Sequence, residues 1–491
     1  MNSLQRLKSV VRKKIGRKQF VIASHSEPVI HYYEGNKLLS RPTTGGLVTA
    51  MDPVMQACGG TWVAYAAGNA DMDVTRPDNT IGLPLNRPRY RLKRIPIPKN
   101  DLDAYLDHAA NSSIWPWCHF AYVRPEFNDA DWHEYRKVNK QFADSILQTI
   151  RKKPAFVWIQ DYQLALAARY IKEKRPDVIT AQFWHIPWPN VEIFRICPWG
   201  REILESLLHN DLLGFHIRYY ANNFLDSVDQ TLQARVDREQ SAIYYKNSRT
   251  QVKEFPISVD FRRIRNATRR ITPEHMVHVR QKLGLTDEKI VLGIDRLDYS
   301  KGIPEKLRAL DLFLKNNPHW RGKMTLIQAA SPSRTQVPAY IENAQKTESL
   351  VDEINYRWSI RNWKPIAYLT SFIPYPDVLT LYKMADTCLV TPLHDGMNLV
   401  TKEYVAAKED GNGTLILSRF TGAARELTSA LDVNPYNIAE TASAIKKALQ
   451  MPLSERKERM AKASREVQDH DVYTWAADFI QHIGKLESTV V

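Results

Sequence analysis

A chain of 491 residues with 44% hydrophobic and 10% aromatic content has apolar surface for more than one core, and domain sizes of about 100–200 residues point to two or three domains. Charged residues make up 25%, and no apolar run reaches the ~18 residues of a membrane-spanning helix, which excludes a transmembrane protein and long-range disorder. The formal charge of +14 suits anionic partners: nucleic acid, an acidic surface or a phosphorylated small molecule.

Residues 1–20 hold Arg6, Lys8, Arg12, Lys13, Lys14, Arg17 and Lys18 and no acid, half of the net charge. Leu4, Leu7, Val10, Val11 and Ile15 recur there at helical spacing. This pattern predicts a solvated, partly disordered basic tail, with a peripheral membrane or protein contact through residues 1–18 as the alternative. It lacks the apolar stretch and small-residue cleavage site of a secretory signal. Cys58, Cys118, Cys197 and Cys388 lie far apart, which argues against a disulfide framework or a structural zinc and favours a reducing, cytoplasmic setting.

Beyond the tail, Gly45-Gly46 followed by Leu47–Met51 reads as a helix start where backbone can approach a phosphate, a weak signal without a Walker lysine. Trp62, Tyr65 and Trp115-Pro-Trp117 are core aromatics or the wall of a carbohydrate pocket. Asp101-Leu-Asp103 and Asp129-Ala-Asp131 follow no strand pattern; they read as helix-start and loop acids, and no metal is expected. Short buried strands then alternate with helices. Phe156–Ile159 leads into Asp161, and Val178–Trp184 into His185 and the Pro187-Trp-Pro189 turn. The polar, turn-rich stretch 262–270 marks a domain boundary near 262. After it, Ile290–Ile294 precedes Asp295–Gly302, Met324–Gln328 precedes Arg334, and Thr387–Thr391 precedes Asp395–Asn398.

This alternation predicts parallel sheets covered by helices on both faces, with ligands beyond the carboxyl ends of the strands, where each of these polar clusters falls. Gly396–Lys408 reads as a loop entering a helix whose free N–H groups suit a diphosphate, with Glu403 about two turns on and within reach of a ribose. The alternative is an ordinary amphipathic helix with a surface glutamate. Arg296 and Lys301 could neutralise a departing diphosphate, or be a solvated pair. His185, Asp161 and Asp395 are strand-end candidates for sugar hydroxyls or acid–base work, against the plainer reading of satisfied core polar groups. Outside the tail the basic residues form no stripe with interleaved aromatics, so no nucleic-acid partner is expected.

Five ordered motifs, Trp158-Ile-Gln-Asp161-Tyr, Phe183-Trp-His185-Ile-Pro-Trp-Pro189, Asp211-Leu-Leu-Gly-Phe215, Asp295–Gly302 and Asp395–Tyr404, together resemble the trehalose-6-phosphate synthase family of retaining glycosyltransferases over roughly residues 40–480. The resemblance implies an α/β GT-B fold: two Rossmann-like domains with parallel sheets facing a central cleft. The expected order is a tail over 1–20, an acceptor domain over 21–262, a donor domain over 263–470, and a helix over 471–491 crossing back to the first domain. It implies glucose transfer from a nucleotide-glucose, UDP-glucose first and GDP- or ADP-glucose as alternatives, to a phosphorylated sugar or polyol, foremost glucose 6-phosphate giving α,α-trehalose 6-phosphate. No cofactor is implied, and a homo-oligomer is expected.

By the same resemblance Gly46, Arg296 and Lys301 contact the diphosphate, beside Gly396 and the backbone of Met397, Asn398 and Leu399. Glu403 holds the ribose, and His185 and Asp395 hold the glucose, with His185, Arg296 and Lys301 as the catalytic set. Asp161, Arg334, Trp115 and Tyr65 meet the acceptor. Departures from the family pattern gather on the acceptor side. Ser24-His25-Ser26-Glu27-Pro28 lacks the phosphate-holding arginine, Leu106 stands where a tyrosine is expected beside Tyr105, Tyr65 replaces a tryptophan, and Gln160 and Gln163 replace histidines. A glucosylglycerol-phosphate synthase with a His-x-Glu-Pro segment is therefore one alternative, a relative using an unusual sugar or cyclitol acceptor another, and a non-catalytic sugar-nucleotide sensor a third.

Overall fold

The computed structural model describes residues 2–43 and 45–486; Met1 of the expected tail and residues 487–491 of the expected terminal helix lie outside the described residues. The chain forms two compact units, one running to Ile257 and resuming at Val472, the other spanning Ser258–Asp471.

The first unit contributes β1 (Gln19–Ala23), β2 (Val29–Glu34), β3 (Lys37–Pro42), β4 (Thr61–Tyr65), β5 (Thr80–Leu83), β6 (Tyr90–Ile95), β7 (Ala155–Gln160), β8 (Ile179–Phe183), β9 (Leu212–Phe215), β10 (Arg235–Asp237), β11 (Ala242–Tyr245) and β12 (Ser248–Glu254). Ten of them form one sheet in the order β10-β11-β12-β9-β8-β7-β1-β4-β6-β5, and β2 and β3 make a separate hairpin. From β12 to β6 the neighbours run parallel. Every residue of β7 is buried, as a strand covered on both faces requires. From β1 the chain moves outward through β4 to β6, then returns to place β7 on the other side of β1, so the topological switch lies between β1 and β7.

One face of this sheet is closed by the helix Val472–Leu486. Its Phe479 stacks on Trp158 at 4.4 Å, and Trp475 lies 5.1 Å from the same ring while its Nε1 donates to the Phe255 carbonyl at 3.2 Å.

The second unit holds β13 (Lys289–Arg296), β14 (Met324–Ser331), β15 (Ile366–Leu369), β16 (Thr387–Val390), β17 (Thr414–Ser418) and β18 (Leu431–Val433), all parallel in the order β15-β14-β13-β16-β17-β18. Its switch falls between β13 and β16. No helix among the described residues is long and apolar enough to cross a membrane.

Two local expectations are corrected. The basic tail is an ordered helix, Ser3–Lys14, started by a reciprocal cap in which Asn2 Oδ1 accepts from the Gln5 N–H at 2.9 Å and Gln5 Oε1 from the Asn2 N–H at 3.2 Å. Its apolar stripe is spent inside the unit: Leu7 and Ile15 are buried, and Arg6 pairs with Asp478 of the Val472–Leu486 helix. Charge suggested solvation, but the helical spacing of the apolar residues decided the outcome. Leu7→Ala is expected to lower stability by about 2–5 kcal/mol, read from the urea midpoint; an unmoved midpoint would mean the helix is only loosely seated.

The polar stretch 262–270 is likewise mostly a helix, Phe261–Arg269, because Phe261, Ile264 and Thr268 share one buried face among the arginines.

The paired acids, expected at helix starts and in loops, all lie in the first turns of helices. Asp129 and Asp131 open the helix Asp129–Ile150, capped by Asn128, while Asp101 lies in the short helix Lys99–Leu102 and Asp103 opens a π-helical segment, Asp103–Ile114. In that wide helix Tyr105 is fully buried and Leu106 only partly.

Candidate functional site

In the second unit, the carboxyl ends of β13, β14 and β16 bring the candidate residues into two linked groups. β16 gives way to a loop that ends at Asn398 and enters the helix Leu399–Ala407. Lys301, from the turn after β13, donates from Nζ to Asp395 Oδ2 at 2.6 Å, and Asn398 Nδ2 donates to the same oxygen at 3.1 Å. Asn398 sits at φ +73°, a left-handed conformation of the kind that collects at ligand sites, and makes no side-chain cap to the helix. The helix thus starts with first-turn N–H groups unclaimed by a capping side chain, as an anion site needs.

The loop is fixed from behind. Asp395 N–H donates to the Phe420 carbonyl at 3.1 Å and Ala423 N–H to the Met397 carbonyl at 3.0 Å. A Cβ on Gly422 would lie 2.1 Å from the Gly396 oxygen, so only glycine lets the two segments touch. Gly396 and Met397 are buried at this junction.

The second group centres on Asp298, to which sequence reasoning gave no role although it lies inside the Asp295–Gly302 motif. Arg296 and Arg334 approach its Oδ2 at 3.5 and 3.8 Å, while Oδ1 accepts from the Ser300 N–H at 3.0 Å and the Ser300 hydroxyl at 2.9 Å. Burial works against its charge, but Arg334, Arg296 and Lys301 outweigh that cost and hold the carboxyl at about 2. Asp298 is therefore the fixed anion that faces Arg296 and Arg334 at the mouth of the strands, while Lys301 acts on it through charge and bonds Asp395. Arg334, expected at an acceptor phosphate, also bonds the Tyr340 hydroxyl and is only 10% exposed. Tyr340 is a second residue that the sequence pattern did not single out.

Glu403, one turn into the helix, accepts from the Tyr382 hydroxyl at 2.8 Å. Its carboxyl end is poorly hydrated, and desolvation pushes it up to about 7, with the Tyr382 bond opposing. A surface glutamate would show no such shift.

In the first unit the candidates gather at the switch between β1 and β7. Asp161 follows β7 at φ +69°, and its Oδ1 accepts from the Tyr162 N–H at 2.9 Å and the His185 N–H at 3.0 Å. His185 Nε2 lies 2.9 Å from Gln160 Oε1; with that oxygen accepting, Nε2 carries the ring proton. Burial, and then the facing His216, drive the ring well below its ordinary pKa, so it is a neutral hydrogen-bonding group. Tyr65 ends β4 and stacks on His25 at 5.4 Å, the ring of Tyr105 lying 5.6 Å from His25 on another side. Trp115 is 6% exposed and stacked on His119 at 3.9 Å, next to Tyr162; in this structure it packs as core. Gly46 forms the exposed start of the helix Gly46–Cys58.

Two doubly wound units, one with cations and an uncapped helix start at its switch point, are those of a GT-B glycosyltransferase. The family model for glycosyltransferase family 20 matches residues 18–485, and the chain belongs to that family. Among curated relatives, a bifunctional trehalose-6-phosphate synthase/phosphatase of Thermoproteus tenax is 37% identical over 91% of this chain, which spans only 61% of that longer protein. A trehalose-6-phosphate synthase of Mycolicibacterium smegmatis is 36% identical over 96% of this chain and 94% of its own. Among solved structures, an E. coli protein described as bound with UDP-2-fluoro glucose superposes with a TM-score of 0.85 at 30% identity, covering 95% of this chain and 99% of that one. A Burkholderia xenovorans α,α-trehalose-phosphate synthase in complex with glucose-6-phosphate gives 0.85 at 28% identity, covering 95% and 100%.

Proposed function

We propose that this chain transfers glucose from UDP-glucose to glucose 6-phosphate, with retention, giving α,α-trehalose 6-phosphate and UDP. The observation that carries the reading is the Lys301–Asp395–Asn398 group beside Arg296 at the start of the helix Leu399–Ala407, in a chain of this family. The relatives named above, and the ligands reported with two of their solved counterparts, support the donor and acceptor.

In the proposed reaction the bond from glucose C1 to the diphosphate oxygen breaks, the acceptor 1-hydroxyl oxygen bonds to C1 from the same face, and its proton passes to the leaving diphosphate. Arg296, Lys301 and the first-turn N–H groups stabilise the charge that builds on that diphosphate. Glu403 takes the ribose hydroxyls, Asp395 and neutral His185 orient the donor glucose, and Asp161 orients the acceptor. The free cysteines, three of them buried, support a reducing cytoplasmic location.

The test is a matrix of UDP-, GDP- and ADP-glucose against glucose 6-phosphate, glycerol 3-phosphate and glucose, with product linkage read by NMR. Transfer from UDP-glucose to glucose 6-phosphate is expected; no acceptor-dependent UDP release with any pair would refute the reading and favour a sensor. A second reading, a phosphorylated polyol as preferred acceptor, draws on the segment His25-Ser26-Glu27-Pro28 after β1; preference for glycerol 3-phosphate would select it.

Glu403 supplies a pH prediction. Its native value of about 7 lies above the ordinary 4.5, so its contribution to stability is fully present below about 4.5 and is lost as pH rises toward 7. Ribose hydroxyls are held best by the ionised carboxylate. UDP affinity, measured by calorimetry, is thus expected to rise between pH 6 and 8, roughly the span around that value, and Glu403→Gln to flatten the rise. A flat profile for the parent protein would count against a ribose-binding carboxylate here.

A further inference from the structure

Away from the groups assigned above, the first unit buries a compact charge cluster beneath the carboxyl ends of β1 and β4. The Arg94 guanidinium is fully buried on β6. Its Nε donates to Glu27 Oε2 at 2.8 Å, one terminal nitrogen lies 2.7 Å from Asp71 Oδ1, and its remaining bonds go to the carbonyls of Asp71 at 2.7 Å and Val29 at 2.9 Å. His31 Nδ1 lies 2.9 Å from the same guanidinium, and the His31 N–H donates to Asp71 Oδ1 at 2.7 Å. Glu27 Oε1 accepts from the Ala67 N–H at 2.9 Å, and Asp71 Oδ2 from the Gly68 N–H at 2.5 Å. One side chain thus ties together the segment after β1, the hairpin β2–β3, the loop after β4, and β6.

Such a cluster is a costly way to gain stability, because desolvating charged groups offsets most of their attraction. What it offers is a single geometry, since each partner is bonded in a fixed direction. The close fit is built into the backbone as well: a Cβ on Gly68 would stand 2.0 Å from the His31 carbonyl oxygen. Among the elements it holds is the short segment His25-Ser26-Glu27. Glu27 anchors it from below while His25 stacks on Tyr65 above, at the switch point where the fold places a ligand.

We infer that Glu27 and Arg94 are positioning residues for the acceptor, fixing the His25–Ser26 segment so that the acceptor meets a preformed wall. The inference rests on the proposed glucosyl transfer, and it places the effect on acceptor binding while the donor groups of the second unit stay as they are. Burial, reinforced by the bond to Asp71 and opposed by Arg94, drives the Glu27 carboxyl up to about 9, and both of its oxygens accept, one from the Arg94 Nε–H and one from the Ala67 N–H. Glutamine keeps one of these two acceptors and alanine neither.

The experiment measures acceptor KM, kcat and UDP affinity for the parent protein, Glu27→Ala, Glu27→Gln and Glu27→Asp, using the acceptor the parent turns over fastest among glucose 6-phosphate, glycerol 3-phosphate and glucose. Glu27→Ala is expected to raise acceptor KM about 10–100-fold with UDP affinity unchanged, as misplacement of a positioning wall would. Glu27→Gln, which keeps one acceptor, is expected to raise that KM by clearly less than Glu27→Ala does. If Glu27→Ala does not fold, Glu27→Asp, which keeps the carboxyl and shortens its reach, replaces it with the same expected direction. A folded Glu27→Ala or Glu27→Asp with parental acceptor KM, or a loss shared equally by Glu27→Gln, would overturn the inference. A parent protein that turns over no acceptor would instead overturn the proposed function, and the inference with it.

Discussion

Replacing Lys301 by alanine is expected to cut turnover about 10²–10³-fold with the fold preserved, the scale lost when one fixed donor to a developing anion is removed. Lys301 is placed for that role by two separate features. The turn after β13 carries it to the switch point, and Asp395 holds Nζ at 2.6 Å, so the ammonium is oriented before any ligand arrives. Its removal leaves Asp395, whose side chain is 14% exposed, to water and the Asn398 amide at 3.1 Å, so stability changes little. Lys301→Arg keeps the charge but spreads it over a planar fork, and an intermediate rate is expected. The measurement is UDP release at saturating donor and acceptor, beside a thermal melt. Turnover within about threefold of the parent would remove the leaving-group role.

The second large effect is on stability. Lys306 and Asp295 form an ion pair of 2.6 Å whose side chains are 0% and 2% exposed, with Gln328 Nε2 at 3.2 Å from the same carboxylate oxygen. The pair lies under the end of β13, beside the strand residue that presents Arg296. Lys306→Met leaves a buried carboxylate with one neutral donor, and a loss of about 3–5 kcal/mol is expected. The double variant Lys306→Met, Asp295→Leu removes the uncompensated charge and should recover much of that loss. Urea unfolding of both singles and the double closes the cycle; a double variant no better than Lys306→Met would show that the cost is packing rather than charge.

What could be read in advance follows from the range of the interactions involved. The strands β7, β8, β13, β14 and β16 stood out because a strand buried on both faces is apolar through most of its middle, a local property of sequence. The helix entered at Leu399 was visible for the same reason, from the glycine and asparagine before it and the apolar spacing after it. The first helix was misjudged because its solvation depends on a surface more than four hundred residues away in sequence, where Asp478 and the helix around it take up Arg6 and Leu7.

Among site residues, Lys301, Asp395 and Asn398 were legible as strand-end polar groups. Asp298 was not, because its importance comes partly from Arg334, which reaches it from the loop after β14. The shift of Glu403 toward neutral pH was equally hidden, since it depends on Tyr382 and on dehydration that only the packed helix creates. The Glu27–Arg94 cluster joins residues 67 positions apart and carries no motif at all.

The first unit is interrupted in sequence by the whole of the second, and its sheet is closed by the fifteen-residue helix Val472–Leu486. On the ribosome, therefore, Trp158, Phe183 and Phe255 wait with an uncovered aromatic face while the second unit, contiguous in sequence, emerges and completes itself. The arrival of Trp475 and Phe479 sets the moment at which the earlier-made sheet can close, and until then the nascent chain presents a hydrophobic target to chaperones and to neighbouring copies.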